Sequence, residues 1–124
     1  MNETKSWTWF IIAGAMIFIL LSLHMITMHL DGILGWFNPA GGKSVEWANV
    51  IARAKIITSA VMYILLLGTA LYHGLYGLRT ILIELNIGKS FEKAITRFLL
   101  IIGAGLFIYG AWAAVKFQVI ATLV

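Results

Sequence analysis

The sequence predicts an all-α membrane protein with three transmembrane helices and a short interfacial helix between helices 1 and 2. Hydrophobic residues make up 61% of the 124 residues and charged residues only 11%, so the chain cannot bury its apolar surface in a water-soluble core. Three apolar stretches, at about 7–30, 56–85 and 98–123, each reach the roughly 20 residues that a spanning helix needs at ~1.5 Å per residue. Between them stand helix breakers: Asp31-Gly32, Asn38-Pro39 and Gly41-Gly42 after the first stretch, and Asn86-Ile87-Gly88 after the second. Residues 1–124 read as a single membrane domain.

The first apolar stretch follows Lys5 and contains Ala13-Gly14-Ala15, a small-residue pattern of the kind found at leader cleavage sites. Apolar sequence continues well beyond it, too far for the apolar region of a leader, so the stretch reads as a retained helix. Past the Gly41-Gly42 break, Ser44 is placed to cap a short helix. In it Trp47, Val50, Ile51 and Ala54 recur at i, i+3, i+4 and i+7, while Lys43, Glu46, Asn49 and Arg53 lie mostly elsewhere. That is the pattern of a helix in the interface plane, capping the loop-side ends of helices 1 and 2.

Helix 2 is expected to end at Gly88 in a left-handed C-cap. A short charged connection, Lys89 to Arg97, would follow, in which Ser90 can open helix 3 with Glu92 and Lys93 in its first turn. Within helix 3, Gly103 and Gly110 are seven apart and Ala114 extends their face, so this helix reads as a packing surface. Lys116 lies ~30 Å along the axis from the start of that stretch and is expected at the far interface.

The formal charge is +4, yet the nine basic residues are scattered over helix ends and connections. Lipid headgroups explain them better than nucleic acid does. Lys5, Lys89, Lys93 and Arg97 fall on one side, against Lys43, Arg53 and Lys55 on the other, which favours a cytoplasmic N-terminus and an outward C-terminus. The chain has no cysteine, so disulfides, iron–sulfur ligation and thiolate zinc sites are excluded within it.

The candidate site lies on helix 2. From His73, the residues at i+4, i+7 and i+11 are Gly77, Thr80 and Glu84, which return to nearly one angle because eleven residues make about three turns. Thr69 continues this stripe toward the other end. Ionisable side chains are costly in hydrocarbon and mark functional sites by default. A neutral imidazole is a common axial ligand of haem iron, and Gly77 removes a side chain where a flat macrocycle would approach the helix. Arg79, about 120° off the stripe, has an arm long enough for a haem propionate, which a guanidinium fork suits. Glu84 would lie near the membrane surface, where a carboxylate serves quinone binding or proton exchange.

Helix 1 adds His24 and His29, about 140° apart around the axis. Counted from the cytoplasmic helix ends, His24 lies ~26 Å deep and His73 ~17 Å, a mismatch of ~9 Å that argues against an intrachain ligand pair. Each haem-binding histidine would then need its opposite ligand from a second membrane polypeptide, and two haems would lie at different depths. His29 stays open as the rival of His24.

The order His73, Gly77, Arg79, Glu84, with three helices and this loop order, resembles the small membrane-anchor subunits of succinate dehydrogenase, the succinate:quinone oxidoreductases. The resemblance implies a haem b-binding anchor, with no dicarboxylate catalytic site on this chain, that docks an iron–sulfur subunit and a flavoprotein subunit to the cytoplasmic (inner) membrane and passes electrons from succinate to quinone. By that resemblance His73 is an axial ligand, Arg79 a propionate partner and Gly77 a point of haem packing, with Glu84 and Thr80 in the vicinity of the quinone. A deep histidine in helix 1 looks more like the two-haem members. Many members carry aspartate followed by tyrosine where this chain has Glu84 and Leu85, so a tyrosine bond to quinone from that position is not expected. Two other readings compete: a small transporter or proton-relay subunit using His73, Arg79 and Glu84, and a structural subunit of another respiratory complex.

Overall fold

The computed structural model describes residues 2–29, 41–85 and 88–124. Among them four helices occur: α1 (Glu3–His29), α2 (Trp47–Ala54), α3 (Ile57–Glu84) and α4 (Lys89–Leu123). The first, third and fourth are long and apolar enough to cross a membrane, and α2 is the short helix between the first two of these. The breakers Asp31-Gly32 and Asn38-Pro39, with Asn86 and Ile87, lie outside the described residues.

The start of α4 corrects the sequence expectation. Residues 89–97 are not a connection but the first turns of a 35-residue helix, ~52 Å long against a hydrocarbon core of ~30 Å. Gly88 is its N-cap at φ −35°, not a left-handed C-cap of α3, and Ser90 lies inside the helix. The backbone N–H groups of Phe91 and Glu92 both donate to the Gly88 carbonyl, at 2.8 and 3.3 Å. The physical reason is a continuous inward stripe, Glu92, Ile95, Thr96, Leu99 and Gly103, whose members are all partly or fully buried at helical spacing.

Helix α3 occupies the middle of the bundle. It packs on α1 along one side and on α4 along the other, while α1 and α4 do not pack on each other among the described residues. The three long helices therefore form a row. Contact faces are built from small residues: the buried apolar residues include Ala13, Ala60 and Ala121, whereas Phe18 and Ile108 are 76% and 68% exposed. This inversion of a soluble core is what lipid contact produces, because large apolar side chains gain nothing from leaving hydrocarbon and small ones let backbones approach. The packing role expected of Gly103 and Gly110 is met, since Leu75 and Leu67 of α3 fill the space a side chain would take there.

Helix α2 packs against α3 and α4, rather than over the ends of α1 and α3 as expected. Its predicted cap is also different. Glu46 takes the N-cap position without a side-chain bond, and the Ser44 hydroxyl instead donates to the Met28 carbonyl of α1 at 2.6 Å. Asn49 and Arg53, expected on the water-facing side, are buried at 0% and 7% exposure. Asn49 Nδ2 donates to the carbonyls of Gly41 (2.7 Å) and Lys43 (3.1 Å), and Arg53 donates to that of Ser44. The turn through Gly41 and Gly42, both with φ near +70°, leaves carbonyls that need donors, and these two side chains supply them.

Candidate functional site

His73 lies in the seam between α1 and α3. Its Nδ1 is 3.0 Å from the carbonyl oxygen of Phe10, and the Phe10 ring stacks on the imidazole at 4.1 Å between centroids and 5° between planes. Gly14, one turn along α1, makes room for this: a Cβ there would lie 3.0 Å from His73 Cε1. A carbonyl can only accept, so Nδ1 must carry the proton, and in the neutral ring Nε2 then keeps its lone pair. Nε2 makes no hydrogen bond among the described residues.

The rest of the predicted stripe also faces α1 or lipid. The space at Gly77 is occupied by Phe10, whose Cε2 would lie 3.3 Å from an added Cβ. Thr80 returns its hydroxyl to the Tyr76 carbonyl of its own helix at 3.0 Å, and Thr69 does the same to Leu65 at 2.8 Å. Glu84 is exposed at the last position of α3.

His24 faces inward as well, edge-on to the Tyr63 ring at 5.7 Å. Its Nδ1 is buried with no hydrogen-bond partner among the described residues, an arrangement that costs about 1–3 kcal/mol unless something satisfies it. His29 is exposed, at the end of α1. Because His73 is level with Gly14, His24 lies ten residues further along α1, ~15 Å away in depth. The two imidazoles do not converge, as the sequence reading expects, and the gap is wider than the helix-end count suggests.

Arg79 bonds to residues of α1 and α4 and makes no hydrogen bond to His73. Its Nη2 and Nη1 donate to Glu3 Oε1 at 3.1 Å and Oε2 at 3.3 Å, and its Nε to Thr96 Oγ1 at 2.9 Å. Tyr76 Oη donates to the same Glu3 carboxylate at 3.3 Å, and Tyr72 Oη to the Ser6 carbonyl at 2.9 Å. One cation thus ties α1, α3 and α4 together at one end of the bundle. Sequence reasoning missed this clasp, although Tyr72, Tyr76 and Arg79 at i, i+4 and i+7 form a second stripe that the same periodicity could have found. No hydrogen bond among the described residues links His73, Arg79 and Glu84 into one chain.

Two grooves open on the Tyr72 side of α3. The larger, about 440 Å³, runs between α3 and α4 past Gly68, Tyr76 and Gly103 to Arg79 and Thr96. The smaller, about 260 Å³, runs between α1 and α3 along Trp9, Ala13 and Met16, and shares Gly68 and Tyr72 with the first. Among the described residues no cluster of three or more His, Asp or Glu could hold a free metal ion. Comparison with protein-family models, curated proteins and solved structures found no match to this chain.

Proposed function

We propose that this chain is a haem b-binding membrane-anchor subunit of a succinate:quinone oxidoreductase. The observation that carries the reading is the His73 Nδ1–Phe10 carbonyl bond. Histidines that ligate metals commonly donate their other ring N–H to a carbonyl, which fixes the tautomer and aims the lone pair. Nε2, without a hydrogen bond among the described residues, would be free to hold haem iron. His24, whose buried Nδ1 has no hydrogen-bond partner among the described residues, is the better candidate for a second haem than the exposed His29.

Since His24 and His73 stand apart in depth, they would hold separate haems, each shared with a second membrane-anchor subunit. The exposed apolar faces of a three-helix row offer that subunit a place to pack. Haem supplies one-electron transfer, while this chain orients the imidazole through Phe10. The Glu3–Arg79 clasp and the Tyr72–Ser6 bond set the register of α1 against α3 that brings Phe10 to His73. Exposed Glu84, with Thr80 one turn before it, stands where quinone and the iron–sulfur subunit would approach, and the flavoprotein would carry the succinate chemistry. On this reading the chain lies in the cytoplasmic membrane, and the Lys and Arg distribution supports an inner N-terminus.

One observation favours a second reading, a structural subunit: the Phe10 stack and carbonyl bond are also how a histidine serves purely as a tie between helices. The reduced-minus-oxidised absorbance of the purified assembly separates the two. A b-type spectrum diminished by His73→Ala supports the anchor, and a colourless assembly supports the tie. The relay reading would require proton flux lost with the same substitution in an assembly without haem.

A further inference from the structure

We infer that the face of the bundle between α1 and α4 holds one anionic diacyl phospholipid, its phosphate at Arg79 and one acyl chain in each of the two grooves beside Tyr72. The inference does not rest on the haem reading, since none of its residues touches His73 Nε2.

Shape argues first. The grooves are open because α1 and α4 do not pack together, and they share Gly68 and Tyr72 as their common wall. Tyr72, 39% exposed, stands on that wall as a ridge, its ring stacked at 5.9 Å and 13° on that of Tyr76, which lines the larger groove. A transmembrane helix, about 10–12 Å across with its side chains, would ride on the ridge and leave both grooves empty, whereas two thin chains can straddle it. The larger groove, at about 440 Å³, also lies within the ~300–1,000 Å³ typical of small-molecule sites.

Charge argues second. Among the described residues Arg79 is the one charged residue lining either groove, and its guanidinium has five N–H donors. Glu3 holds it from the α1 side and Thr96 from α4 through three of these, and the other two have no acceptor among the described residues. Lys5, Arg79, Lys89, Lys93 and Arg97 outnumber Glu3, Glu84 and Glu92 at the same end of the helices, five to three, and the net positive field favours an anion there. A quinone would fill only one groove with its single chain, and its neutral head has no need of the cation.

The test is native mass spectrometry of the full chain after extraction from vesicles of equal parts phosphatidylcholine and phosphatidylglycerol. One retained phospholipid per chain is expected, with about a fivefold preference for phosphatidylglycerol, the value corresponding to one basic residue near the headgroup. Arg79→Gln should remove the preference. Ala104→Phe, which fills the larger groove, should remove retention of both lipids at unchanged helical content by circular dichroism. Should Ala104→Phe fail to fold, Leu100→Phe on the same groove wall carries the same expectation. Equal retention of the two lipids by the unsubstituted chain would overturn the proposal. So would retention that survives groove filling, one-for-one displacement by a quinone, or protection of Ala104 by a partner helix in the native assembly.

Discussion

His73 satisfies one ring nitrogen on a backbone carbonyl and leaves the other without a hydrogen bond among the described residues. The carbonyl cannot be deleted by substitution, but the ring's position can be disturbed through Gly14. A Cβ there would stand 3.0 Å from His73 Cε1, so Gly14→Val should push the imidazole off Phe10. Overpacking of this kind costs about 1–3 kcal/mol, readable as a lowered denaturation midpoint in mixed detergent and, on the proposed haem reading, as a changed absorbance spectrum. At Arg79 the expectation is smaller. The side chains of Arg79 and Glu3 are 16% and 59% exposed, and a pair so open to solvent contributes no more than ~1 kcal/mol, reduced further by salt. Glu3→Gln should therefore leave the protein folded and shift the same midpoint slightly, with the shift shrinking as ionic strength rises.

Among the elements, α2 makes the clearest demand on single side chains. Arg53→Ala would leave the buried Ser44 carbonyl without its donor, at about 1–3 kcal/mol, and hydrogen exchange should quicken across residues 41–55 while α1 stays protected. The α3–α4 seam depends on missing side chains instead. Gly103→Leu would drive a Cβ to 2.6 Å from Leu75, and the two helices should separate, lowering the thermal midpoint without reducing helical content. The reach of sequence reasoning differs between these elements for a physical reason. Composition and length reveal α1, α3 and the apolar part of α4, because a bilayer imposes both. They do not reveal that residues 89–97 are helical, since charges such as Lys89 and Lys93 look alike on an exposed helical turn and in a loop. Nor do they place Asn49 and Arg53, whose burial answers to carbonyls of the 41–44 turn rather than to hydrophobic period. In the candidate site the His73–Gly77 face was legible from spacing alone. The partners that occupy it, Phe10 and Gly14, were not, because they belong to another helix and its register is set by Glu3 and Ser6 at the far end.

For the molecule as a whole, a row of three helices with α3 in the middle leaves broad apolar faces exposed. The charge asymmetry behind the proposed orientation is narrow, four basic residues against three. The absence of native cysteine makes a labelling test simple. A cysteine introduced at Lys5 should react with an impermeant maleimide only from the cytoplasmic side, and one at Lys43 only from the opposite side; the reverse pattern would invert the topology. The most direct test of the central claim is haem quantitation on the native assembly, before and after His73→Ala, with reduced-minus-oxidised spectra of each. The account predicts bound b-type haem in the unsubstituted assembly, with one haem lost on substitution. An assembly without haem, or an unchanged haem content after His73→Ala, would contradict it.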